Sequence, residues 1–258
     1  MENATANPDF ESKPVQTSLW SRLLNVFAAP GDVFEEVKNS APSTANWLVP
    51  AVIFIVVGII SAFVIFSQPA IVQQIHDQQA KVIDDQVKAG KLTQAQADQA
   101  VAAMDKFAGP TIMIVSGSVG ALFGSFIHIF WWAFILWLMA QLFLKTKIPF
   151  MKAAEVAGLT TLILVLGAIV GILLTVITGK LGMTPSLALT VGEFDLKNKV
   201  HQLLAAVNIF YFWQLGVVAC GLARLTDAPF TKTLLLLFLY WLAFTLFFVG
   251  IGFGTMAM

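Results

Sequence analysis

Residues 47–66 read WLVPAVIFIVVGIISAFVIF, a run that contains no charged side chain. At about 1.5 Å per residue a helix of this length reaches about 30 Å, the thickness of a bilayer's hydrocarbon core. The stretch predicts a transmembrane helix over 47–67. Trp47 then sits at an interface, where its amphipathic ring is favoured, and Pro50 falls in the first turn, where a missing N–H is tolerated.

Downstream, apolar blocks over 111–144, 153–178, 203–222 and 233–253 repeat the pattern. The expected fold is all-α, a polytopic membrane bundle of about five transmembrane helices. The block 111–144 is overlong for an upright span, so it is expected to tilt, project or bend in the part containing Gly117, Gly120 and Gly124. Composition agrees: 58% of the 258 residues are hydrophobic and 12% are charged, about half the charged share of a soluble domain. Lipid must cover much of such a surface.

The segments between the blocks carry the charge. Residues 1–17, rich in small polar residues and proline, predict a disordered amino-terminal tail. Residues 18–46 predict an amphipathic interfacial segment: Leu19, Trp20, Leu23, Leu24 and Phe27 recur at helical spacing around Arg22, and Pro30-Gly31 ends that helix. A second helix is expected after it, with Asp32 as cap and Val33, Phe34 and Val37 as its apolar side. Because 46 mostly polar residues precede the first block, no cleavable signal peptide is expected.

Residues 68–110 predict a soluble helical hairpin after the first span. Its first arm carries Ile71, Ile75, Val82 and Val87; Gly90 suits a left-handed turn. Thr93-Gln94-Ala95-Gln96 has the spacing of a capping box and opens an arm with Ala97, Val101, Met104 and Phe107.

Basic residues set the orientation. Lys145, Lys147, Lys152, Arg224 and Lys232 crowd the two short links on one side, together with Lys13, Arg22 and Lys38. Those on the other side are diluted over longer segments with acids, so the amino terminus is placed in the cytoplasm and the carboxyl terminus outside. The chain has 15 basic and 15 acidic residues and no Lys/Arg-dense run, which argues against nucleic acid as a partner. A single cysteine, Cys220, rules out an intrachain disulfide.

Polar side chains within or beside the spans are the candidates for function, because hydrocarbon penalises unpaired polar groups: His128, Gln141, Glu155, Asn208 and Gln214. Glu155 is expected in the first turn of its span, near headgroup water. Gly120/Gly124, Gly167/Gly171 and Gly250/Gly254 have the spacing of close-packed helix pairs, either within the bundle or in self-association. No zinc motif, nucleophile elbow, phosphate-binding loop or intramembrane charge array is present, so no catalytic residue, metal or cofactor is expected.

The segment Phe27-Ala28-Ala29-Pro30-Gly31-Asp32-Val33-Phe34 ahead of Trp47-Leu48-Val49-Pro50 resembles the opening of bacterial members of the Yip (Ypt-interacting protein) domain family. The run Gly221-Leu222-Ala223-Arg224-Leu225-Thr226 and the stretch Ala89-Gly90-Lys91-Leu92-Thr93 are similar too. The resemblance covers about residues 19 to 253. It implies a non-enzymatic adaptor or organiser in the bacterial cytoplasmic (inner) membrane, binding membrane lipid, other membrane proteins or a second copy of itself. A small transporter or channel, with His128, Asn208 and Gln214 along a polar path, is the alternative.

Overall fold

The computed structural model describes residues 17–107, 109–192, 194–195 and 198–252, and side chains throughout these except at 104–107. The tail expected over 1–17 therefore lies outside the described residues except for Thr17, as do Gly254 and the side chains of Met104 and Phe107. The described residues are helical and contain no strand.

Two short helices come first, α1 (Leu19–Ala28) and α2 (Pro30–Asn39). Ser18 caps α1 by accepting the Ser21 N–H at 3.2 Å. Proline starts α2 from its first position, where it has no N–H to waste, so Asp32 lies in the first turn and not at the cap expected for it. There its charge complements the helix dipole.

Five helices are long and apolar enough to cross a membrane: α3 (Ala45–Phe66), α6 (Pro110–Leu142), α7 (Phe150–Thr178), α9 (Ile209–Thr226) and α10 (Phe230–Gly250). Between α3 and α6 stand the hairpin arms α4 (Pro69–Lys88) and α5 (Gln94–Phe107). Gly90 turns the hairpin at φ 69°, and the capping box is reciprocal: Thr93 N–H donates to Gln96 Oε1 at 2.9 Å, Gln96 N–H to Thr93 Oγ1 at 3.3 Å.

Helix α7 organises the bundle. Every residue from Lys152 to Ile163 is buried, so this half is enclosed on all sides by α1, α2, α3, α6 and α9. Small residues allow the enclosure. A Cβ added at Gly158 would lie 2.3 Å from the Trp47 Cα, and one at Gly221 of α9 would lie 2.4 Å from Val156 Cγ1. From Leu166 onward α7 exposes Ile169, Leu173, Val176 and Ile177, the surface that lipid must cover.

Helix α6 runs unbroken for 33 residues, about 50 Å, through the glycine-rich part where a bend was an option. Gly58 and Gly117 are the close-contact glycines of the α3–α6 pair, an added Cβ meeting Ala121 Cβ at 2.6 Å and Ala62 Cβ at 2.9 Å. Trp47, at the start of α3, packs on Phe126 and Phe130, so the last three turns of α6 project past α3, where Trp137 packs on Phe150 at the start of α7. The Trp47 indole nitrogen is buried, with no hydrogen-bond partner among the described residues, although the residue as a whole is half-exposed.

The fourth span starts later than the expected 203–222. Asn208 accepts the Phe210 N–H at 2.9 Å and caps α9, while the Ile209 N–H bonds to Pro185 O and the Val207 carbonyl accepts from Leu187. Leu203–Ala206 belong instead to a separate helix, α8 (Lys199–Ala206), capped by Asn198 and packed on the end of α10.

Candidate functional site

At the amino-terminal end of the bundle a chain of charged and polar side chains joins α1, α2, α3 and α7. Arg22 on α1 reaches Glu36 Oε1 on α2 through Nη2 at 2.7 Å and Nε at 3.2 Å. Its Nη1 donates to Asn46 Oδ1 at 3.4 Å, and Asn46 Nδ2 donates to Glu155 Oε2 at 2.5 Å. The second carboxylate oxygen, Glu155 Oε1, lies 3.2 Å from Lys152 Nζ without hydrogen-bond geometry, so charge alone holds it. Lys152 Nζ in turn donates to the backbone carbonyl of Val37 on α2.

Glu155 is 0% exposed, which corrects its expected place beside headgroup water. The helix starts at Phe150, and the neighbours α1, α2 and α3 fold over the second turn. An isolated carboxylate there would be prohibitive; Lys152 and Asn46 make it tolerable. Thr17 adds its N–H and hydroxyl to Glu36 at 2.7 and 2.5 Å. Burial works to raise the Glu36 carboxyl, but the bonds from Thr17 and Arg22 and the Arg22 charge prevail, leaving it below its ordinary value. Two more exposed pairs fasten α2 to α9, Lys38–Asp227 at 2.5 Å and Arg224–Glu35 at 3.4 Å.

Chemically this arrangement is a clamp. Each buried charge faces an opposite charge or a carbonyl. Among the described residues no three His, Cys, Asp or Glu side chains gather as a metal site.

The other polar candidates fall elsewhere. His128 Nε2 and Gln214 Nε2 meet at 3.4 Å between α6 and α9, with the imidazole edge-on to Phe54 and Trp132. Asn208 is used up in capping α9, and Gln141 lies half-buried one residue from the end of α6. Trp131 Nε1 donates to Tyr240 Oη at 2.9 Å and Trp132 packs on the same ring, so the aromatic cluster bridges α6 to α10.

Of the glycine pairs, a Cβ added at Gly167 would lie 3.0 Å from Phe210 Cβ, and one at Gly171 would lie 3.4 Å from the Met183 carbonyl oxygen. Gly120, Gly124 and Gly250 have open space among the described residues where a side chain would stand. On α1, Leu23 faces inward and Phe27 is half-buried, whereas Trp20 and Leu24 are 68% and 70% exposed.

A family model, the Yip1 domain, matches residues 24–252, from the middle of α1 to the end of α10. The chain belongs to the Yip1 domain family. It is a multi-pass membrane protein of that family. Comparison with the curated proteins and with the solved structures returns no match. Within the Yip1 domain, the proline-led segment has a visible purpose: Phe34 is fully buried beside Gly221, where the short turn at Ala29-Pro30 delivers it.

Arg22, Glu36, Asn46 and Lys152 escaped notice as partners in the sequence. Lys152 and Glu155, three apart on one helix, gave a local signal of pairing. Asn46, 109 residues from Glu155, gave none.

Proposed function

We propose that this Yip1-domain protein is a non-enzymatic adaptor or organiser of the cytoplasmic membrane, its amino terminus in the cytoplasm. The single observation that carries the reading is the clamp: the part-buried Arg22–Glu36 and the buried Asn46–Glu155–Lys152 contacts hold α1 and α2 on the bundle. On the opposite end the hairpin offers a partner surface, with Val82 and Val101 left 42% and 37% exposed.

The test is photocrosslinking from Val82 and Val101 in native membranes. The reading expects discrete, reproducible adducts with other membrane proteins or with a second copy. A solitary monomer in every lipid and detergent would sink it.

The contact between His128 and Gln214 inside the spans favours a second reading, a small transporter or channel. Solute flux in reconstituted vesicles that is abolished in His128→Ala and in Gln214→Ala would replace the adaptor reading.

A further inference from the structure

The surface of α1 is sorted into three sectors. At about 100° per residue, Arg22, Val26, Leu19 and Leu23 occupy one arc of about 100°. These residues are buried or packed against the core. Phe27, Trp20, Leu24 and Ala28 occupy the next arc, also of about 100°; of these only Phe27 is half-buried. The remaining arc holds Ser21, Asn25 and Ser18, with Asn25 Nδ2 donating to Ser21 Oγ at 3.1 Å.

A helix that only docked on the bundle in water would have one buried face and one polar face. Here the uncovered surface is itself divided, one strip apolar and one polar. Such a division suits a helix lying where protein, hydrocarbon and water meet.

Two further observations identify the apolar strip's occupant. The strip runs into a transmembrane surface: the Phe27 ring packs against Trp213 of α9 at 5.9 Å, and Trp213 and Ile209, four apart, are both exposed on that span. The clamp also fixes its direction, because Arg22 lies on the buried arc and is tied to Glu36 and Asn46. Rotation of α1 to hide Trp20 and Leu24 would break those contacts.

We infer that the Trp20–Leu24 ridge is an in-plane membrane contact, inserted among the headgroups and upper acyl chains of the bilayer, with Ser18, Ser21 and Asn25 turned to water. Tryptophan suits that depth because its ring is apolar and its N–H can reach headgroup water.

The full chain carrying Cys220→Ala, with a nitroxide attached at Leu24→Cys or at Asn25→Cys, tests this in phospholipid nanodiscs. Both positions are exposed, so neither label disturbs packing. The label at 24 should collide readily with oxygen, which concentrates in lipid, and poorly with an aqueous nickel chelate. The label at 25 should show the reverse, giving an oxygen-to-nickel ratio several-fold higher at 24. Equal nickel access at both sites would overturn the inference by placing the ridge in water. Shielding of position 24 from both reagents would overturn it in favour of a protein cover, either a partner or a second copy.

Discussion

At the amino-terminal end of the bundle four helices converge on Glu155, which solvent does not reach. At the opposite end the hairpin is anchored by Ile71, fully buried, and by the neutral side chain of Gln74. Its Nε2 donates to the Gly179 carbonyl at 2.7 Å and its Oε1 accepts from the Leu181 N–H at 3.2 Å. The first junction joins buried charges to close backbone contacts; the second uses neutral hydrogen bonds with water nearby. A buried charge left unpaired costs far more than a lost neutral bond, so the two ends should respond very differently to the same kind of damage.

The largest effect is expected from Glu155→Ala. It strands Lys152 in a buried site and leaves Asn46 without its acceptor, a loss of about 3–5 kcal/mol. Thermal unfolding in detergent should show it. Replacing both members, as in Lys152→Met with Glu155→Leu, should recover much of that loss, since no buried charge is left unpaired.

Close approach is the second distinction. Gly158→Ala forces a Cβ to 2.3 Å from the Trp47 backbone, and an overpacked core loses about 1–3 kcal/mol. Gly120→Ala meets open space and should leave stability equal or slightly raised, by up to about 1 kcal/mol, through helix propensity. A loss at Gly120 as large as that at Gly158 would show that a second chain packs there.

At the far end, Gln74→Ala should remove about 1 kcal/mol of local stability and speed cleavage of the hairpin by added protease, without moving the global unfolding temperature.

The smallest expected effect concerns acid. Glu36 holds its proton more weakly in the folded protein than its ordinary value of 4.5. The docking it contributes is therefore complete above that value and is lost as pH falls through the lowered folded one. Melting temperatures of the native chain and of Glu36→Gln should converge as the pH drops through that window; a constant difference would remove Glu36 from the account.

Sequence periodicity showed what local patterns can show. An uncharged run such as 47–66 announces a span, and Thr93 with Gln96 announces a helix start. The beginning of α9 stayed hidden because Leu203–Ala206 is as apolar as the span itself; the break depends on Asn208 and on backbone pairing with Pro185 and Leu187. The burial of Glu155 was hidden for a similar reason, since its partner Asn46 comes from a distant helix. Glycine spacing locates close contacts only in part. Gly120 and Gly124 have the expected interval, yet an added Cβ at either meets no described neighbour, while Gly58, Gly158 and Gly221 belong to no such pair and have the tightest surroundings. Spacing within one helix does not say which face its neighbour occupies.

Central to this account is that α1 and α2 are a built-in part of the bundle and the hairpin is an appendage. Hydrogen exchange of the full chain in lipid nanodiscs tests it most directly. Amides of residues 22–37 should be protected for as long as those of 152–163, with residues 76–103 exchanging much sooner. Exchange of 22–37 at the hairpin's rate would contradict the account.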